Sequence, residues 1–191
     1  RAAYNFDRKL HVKQAEELTA DLFWGVDFNV DYMTAVLGCK YSDGTIHYFD
    51  EIRQSNSNTD QLALAMKQTA PNINVYPDSS GRSRSTTSNK SDHIILKDHS
   101  YNVIAKRANP PVRDRLNALN RMLQDANGKV RMTVDPKCKY LIKDLEQVQR
   151  SRDGKIDKAK DISLTHALDA CSYYIAMNHP VVQRIAQSSE W

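Results

Sequence analysis

The apolar positions along the chain fall into short dense runs in its first third and into helical spacing after that. Leu22–Val30, Met33–Cys39 and Thr45–Ile52 are three such runs in close succession. They predict an antiparallel meander, with Ser42-Asp43-Gly44 as the turn between its second and third strands. A helix follows over Asp60–Thr69, capped by Thr59, with Leu62, Ala65 and Met66 inward, and Pro71 ends it. Ile73–Tyr76 reads as a short strand running into Pro77-Asp78. Ser79–Ser91 is polar and nearly free of apolar residues, the pattern of a mobile loop. Asp92–Asp98 reads as helical and Tyr101–Ala105 as a strand.

Pro110-Pro111 announces a helix from Val112 to Ala126, with Val112, Leu116, Leu119 and Leu123 on one face and Asn127-Gly128 as its stop. Val130–Val134 is a strand, Lys137–Gln149 a helix, and Ser151–Lys160 a charged hairpin turning at Asp153-Gly154. A last helix spans Ser163–Met177, with Leu164, Leu168, Cys171 and Ile175 as its buried stripe. There is no internal repeat. Strands and helices intermix, so the expected class is α/β with a mixed central sheet flanked by helices.

At 191 residues the chain has the length of one sizeable domain. No apolar run is long enough to span a bilayer, and residues 1–21 carry no signal-peptide pattern. Those residues read as a lead-in, 22–180 as the domain and 181–191 as a tail. Because the chain opens on Arg1 rather than Met, a piece of a longer protein is expected. Cys39, Cys138 and Cys171 are odd in number and lack a C-x-x-C pair, so they read as buried thiols in a reducing compartment. The net charge of +4 is unevenly placed: residues 129–160 hold ten basic and five acidic side chains. That bias suits a polyanion such as nucleic acid, and equally a solvated face.

The chemistry centres on Asp27, a carboxylate inside an apolar strand, where burial is costly unless compensated. Asp78 follows another strand end. On the last helix His166, Asp169 and Tyr173 share a face beside the apolar stripe, and Ala167 and Ala170 are small enough for close approach to the sheet. Carboxylates gathered at one place repel one another, and hard divalent ions such as Mg²⁺ or Mn²⁺ are the natural partners. Two such ions form the clamp used for in-line attack on phosphodiesters.

The ordered set Gly25-Val26-Asp27, Asp50-Glu51-Ile52, Tyr76-Pro77-Asp78-Ser79-Ser80-Gly81, Arg115 to Leu123 and His166-x-x-Asp169-Ala170-x-x-Tyr173 resembles the nuclease domain of the tailed-phage terminase large subunit. That domain is a member of the ribonuclease H-like superfamily. The lead-in Tyr4-Asn5-Phe6-Asp7 through His11-Val12 resembles the join before it. The closing His-x-x-Asp-Ala is similar to that of Holliday-junction resolvases and RNA-guided nucleases of the superfamily.

The resemblance implies a ribonuclease H-like fold and metal-dependent cleavage of double-stranded DNA concatemers during packaging. It implies Asp27, Asp78 and Asp169 as catalytic metal ligands for Mg²⁺ or Mn²⁺, and two ions are expected. Glu51 and Asp60 are candidates for a further acid, and His166 is a candidate ligand or orienting group. Arg82, Arg84, Lys90, Arg150, Arg152, Lys155, Lys158 and Lys160 are candidate DNA contacts. The implied partners are a terminase ATPase domain, the small terminase subunit and the portal protein, in the host cytoplasm and away from membranes. No G-x-x-x-x-G-K-[ST] occurs, so no ATP site is expected in this chain. The alternatives are a junction resolvase or ribonuclease H on the same fold, or a non-catalytic docking module of a packaging motor.

Overall fold

The structure is a computed structural model and describes residues 1–29, 31–83, 90–151, 156, 161 and 163–181. The three apolar runs form β1 (Leu22–Asp27), β2 (Tyr32–Lys40) and β3 (Ile46–Ser55), paired antiparallel as a meander. Three further strands join in parallel to complete a mixed six-stranded sheet: β4 (Asn74–Pro77) beside β1, β5 (Asn102–Val103) beside β4, and β6 (Met132–Val134) beside β3. The order across the sheet is β5-β4-β1-β2-β3-β6.

The side-chain period of two divides the strands cleanly between two cores. Trp24, Val26, Ala35 and Leu37 face α2 (Thr59–Thr69) and α3 (Asp92–Asp98). Phe23, Val36 and Tyr48 face the larger core under α4 (Val112–Leu123), α5 (Lys139–Gln147) and α6 (His166–Asn178). The chain begins with a single-turn helix, α1 (Arg8–His11). The three cysteines are free and buried. Among the described residues no helix is long and apolar enough to cross a membrane.

Several expected boundaries move for local reasons. Asn58, not Thr59, caps α2, its side chain accepting from the Gln61 N–H; Thr59 Oγ instead donates to Asp92. Ala63 is buried with Leu62 and Met66, and Ala65 is only half-buried. The start of the expected loop, Ser79–Arg82, is a 3₁₀ turn with Ser79 and Gly81 buried. Helix α4 ends at Leu123, three residues early, because Asp125 closes its own turn. That carboxylate accepts from the Asn127 and Lys129 N–H groups and pairs with Arg131.

The last helix starts at His166 rather than Ser163, and it is buried on every side from His166 to Ala176 rather than along one stripe. It runs through the middle of the larger core, where Ala167, Ala170, Ser172 and Ala176 let neighbouring elements close in.

Residues 1–13 pack against the same core. Ala2, Ala3 and Phe6 are buried in it, Asn5 and Asn120 exchange hydrogen bonds, and the imidazole of His11 bonds the Leu123 carbonyl. The Lys13 N–H donates to Val134, so the segment ends alongside β6. The hairpin expected over Ser151–Lys160 lies largely outside the described residues, although Arg150 and Ile156 form an antiparallel bridge. The tail beyond Val181 also lies outside them.

Candidate active site

The parallel pairing of β1 with β4 places Val26 opposite Pro77, so Asp27 and Asp78 leave the sheet side by side. The Asp78 N–H continues the ladder by donating to the Val26 carbonyl at 2.9 Å. Helix α6 crosses above β1 and brings His166 and Asp169 to the same place. The crossing is close because β1 has glycine beneath it: a Cβ on Gly25 would lie 2.2 Å from the carbonyl oxygen of Ala170. Asp27, His166 and Asp169 are all buried.

Each acid is held differently. Asp27 Oδ2 lies 3.1 Å from His166 Nδ1, and its Oδ1 accepts from the Tyr173 hydroxyl at 3.4 Å. Burial pushes the Asp27 carboxyl above its usual range. The His166 hydrogen bond opposes that rise, and the charges of Asp169 and Asp78 add to it.

Asp169 Oδ1 accepts from Arg115 Nη1 at 2.8 Å, in an ion pair with both side chains buried. The same Nη1 reaches Ser172 Oγ at 2.6 Å, and the guanidinium lies over the Tyr173 ring. Burial works against the Arg115 charge, but Asp169, Tyr173 and Asp27 outweigh it and hold the guanidinium charged.

Asp78 caps the 3₁₀ turn through Oδ1, which accepts from the Ser80 N–H at 2.8 Å and also from Asn109 Nδ2. Asn109 Oδ1 accepts in turn from the Ser79 N–H at 2.8 Å. The Asp78 carbonyl bonds His93 Nε2 at 2.8 Å. The three acids therefore share one region and act on one another electrostatically. Among the described residues, however, no three His, Cys, Asp or Glu side chains form a closed ligand set.

Glu51 has a different task. It lies on the α4–α6 face of β3, but its Oε1 and Oε2 accept from the Tyr140 and Leu141 N–H groups at 2.7 and 2.9 Å. It thus caps α5, whose own N-cap residue Cys138 supplies no side-chain bond. Burial raises its carboxyl and those two N–H groups lower it. Asp60 is exposed and pairs with His99.

One layer further on, Asp144 of α5 caps α6, its Oδ2 accepting from Ala167 and Leu168 N–H at 3.0 and 3.1 Å. Thr165 holds the N-cap position at φ 89° with no side-chain bond, so this cap comes from a neighbouring helix. Burial pushes the Asp144 carboxyl up to about 6.

Asn109, Asp144 and the Arg115–Asp169 pairing were not among the expected site features. Two had a visible signal: Arg115 is one helical turn before Leu119, and Asp144 one turn after Leu141, so both charges lie on apolar faces. Of the expected DNA contacts, Arg82 reaches the Ala105 carbonyl, Lys90 pairs with Asp98, and Arg150 sits at the bridge to Ile156. Arg84, Arg152, Lys155, Lys158 and Lys160 lie outside the described residues.

A mixed sheet with acids at the adjacent ends of two parallel strands, and a last helix laid across them bearing a third, defines a ribonuclease H-like domain. The chain belongs to the Terminase RNaseH-like domain family, whose family model matches residues 24–178. Among solved structures it is similar to the large terminase nuclease domain of P22, with a TM-score of 0.72 and 17% identity over 93% of each chain. It is similar also to the large terminase nuclease domain of bacteriophage SPP1 with bound Mn, with a TM-score of 0.53 and 17% identity over 85% of this chain and 94% of that one. The large terminase nuclease of thermophilic phage G20c gives a TM-score of 0.55 at 14% identity, over 83% of each. No curated protein sequence matches the chain.

Proposed function

We propose that this domain is a divalent-metal-dependent endonuclease that hydrolyses phosphodiester bonds of double-stranded DNA. The observation that carries the reading is the meeting of Asp27, Asp78 and Asp169, with both neighbours raising the buried Asp27 carboxyl. Such mutual repulsion is relieved by a cation, and an all-oxygen carboxylate set suits Mg²⁺ or Mn²⁺. The relative from SPP1 contains Mn, which agrees with this donor chemistry. Asp27, Asp78 and Asp169 would hold the metal, with a pair of ions as the working form. Bound there, divalent ions acidify the attacking water and stabilise the charge on the leaving oxygen.

The chain's own residues do the rest. Arg115 fixes the Asp169 carboxylate through Oδ1, and Asn109 with the Ser80 N–H fixes that of Asp78. His166 orients Asp27 and stands where it can exchange a proton with water at the carboxylate. Burial keeps bulk water from competing. Arg82, Lys90, Arg150 and the basic residues 152–160 serve as sequence-tolerant phosphate contacts. Residues 1–21 would join the domain to a terminase ATPase domain. In that setting, with the small subunit and portal, it would cut concatemeric viral DNA at the start and end of head filling.

The test is digestion of supercoiled plasmid with Mg²⁺, Mn²⁺, Ca²⁺ or EDTA, by the parent and by Asp27→Asn, Asp78→Asn and Asp169→Asn. Nicking and linearisation are expected in Mn²⁺, binding without cutting in Ca²⁺, and no cutting by any of the three variants. Cutting that survives EDTA, or a parent-like rate in Asp78→Asn, would sink the reading. Preference for a four-way junction or an RNA–DNA hybrid would replace the substrate.

A further inference from the structure

Arg53 lies in the same cross-strand row as Asp27. In the ladder Asp27 faces Thr34, and Thr34 faces Arg53. Residues directly opposite in a sheet project to the same side, so Arg53 shares the α4–α6 face with the acids. Its guanidinium carbon sits 3.9 Å from the ring centre of Tyr32 and 4.6 Å from that of Tyr140. Two aromatic rings hold the cation by its face and narrow the rotamers it samples. Tyr32 packs in turn on the His166 ring, centroids 5.8 Å apart, and His166 touches Asp27. A positive charge is thus tied through one ring to the side chain that contacts the central acid.

What this arginine lacks is an anion. Its Nε is buried without a hydrogen-bond partner, and among the described residues it forms no ion pair. Other cations beside α4, α5 and α6 are matched: Arg115 with Asp169 and Lys143 with Asp161. Glu51, two positions along the same strand, gives both its oxygens to α5. A half-buried guanidinium with unused donors in a planar fork is built for a phosphate or carboxylate. The ring contacts place it within about 10 Å of the His166 ring, so a strand lying over Asp27 also passes close to it.

We infer that Arg53 binds a backbone phosphate diester of the DNA strand lying across the site, close to the bond to be cut. It thereby sets the register of that bond on Asp27. The inference rests on the nuclease reading above. The fork takes two phosphate oxygens, and the Tyr32 and Tyr140 rings keep it aimed before DNA arrives. It acts as a positioning residue through strand placement and does not touch the reacting atoms.

The experiment measures binding of a fluorescent linear duplex in Ca²⁺ across a salt series, for the parent, Arg53→Gln and Arg53→Lys. Plasmid cutting in Mn²⁺ and Mn²⁺-dependent thermal shifts are recorded in parallel. Loss of one phosphate contact lowers the log–log salt slope by about 0.9, which is the result expected for Arg53→Gln with its Mn²⁺ shift intact. Arg53→Lys keeps the slope but cuts more slowly, because a point charge lacks the fork. An unchanged slope in a folded Arg53→Gln overturns the inference. Should Arg53→Gln fail to fold, an Arg53→Lys that cuts like the parent overturns it. A parent protein that binds duplex but never cuts in Mn²⁺ would instead remove the nuclease reading, while the slope would still report on Arg53.

Discussion

Gly25→Ala adds one methyl group at the place where α6 rests on β1. The new Cβ would stand 2.2 Å from the Ala170 carbonyl oxygen and 3.0 Å from its carbonyl carbon, where ordinary contact begins near 3.4 Å. The obstructing atoms are main chain, so no side chain can swing away, and α6 must lift by about 1 Å. Overpacking of this kind costs about 1–3 kcal/mol. For a domain of this size each kcal/mol lowers Tm by about 2–4 °C. Without the contact the sign would reverse, since replacing a strand glycine by alanine gains roughly 0.5–1 kcal/mol.

The lift also carries His166 and Asp169 away from Asp27, and a misplacement of about 1 Å costs catalysis about 10²-fold. The assay pairs thermal melts with plasmid cutting in Mn²⁺, using Ala170→Gly as a second-site change. That change removes a side chain but leaves the carbonyl, so it should not rescue Gly25→Ala. A variant that melts at or above the parent temperature and cuts normally would refute the close approach as the determinant of site geometry. Rescue by Ala170→Gly would refute the main-chain clash.

Three further outcomes follow from the groups around the acids. Arg115→Met strands a buried Asp169 charge and should cost about 3–5 kcal/mol, read as a large fall in Tm, while Asp169→Asn in the same background restores part of it. Asn109→Ala frees the Asp78 carboxylate from its clamp and should reduce Mn²⁺ affinity or cutting by about 10–100-fold with little change in Tm, measured by metal titration of the melt. Asp144 has its carboxyl raised from 3.8 to about 6 by burial, so the native state holds the proton longer than the unfolded chain. Its contribution is full below pH 3.8 and is lost as pH rises through about 6. Asp144→Asn should flatten that part of the stability–pH curve, so melts of parent and variant should draw apart as pH crosses the window. Parallel curves would contradict the burial argument.

The strands and most helices were legible because their signals are local. Asp92–Asp98 was expected with the boundaries it has, and the meander needed only alternation and one turn. Asp27 stood out because a carboxylate inside an apolar run is itself an anomaly. What stayed hidden depends on partners far apart in sequence. Glu51 read as a candidate further acid at a strand end, and neither its task nor that of Asp144 shows until the helix starts they cap arrive from elsewhere. Asn109 had no reason to be singled out beside Pro110-Pro111, since its bonds reach back across the β4 end. The lead-in showed no period because Ala2, Ala3 and Phe6 enter the larger core from an irregular segment and His11 from a single helical turn, not along an amphipathic face.

The borrowed cap on α6 has an evolutionary consequence. The first turn of that helix takes its side-chain acceptor from Asp144, so its capping does not depend on the side chains that immediately precede it. The basic stretch between α5 and α6 is therefore expected to tolerate changes of length and charge while His166 and Asp169 keep their place. On the nuclease reading, substrate engagement and bond cleavage then become separately adjustable traits, one written in that stretch of sequence and the other in the scaffold of the sheet and α6.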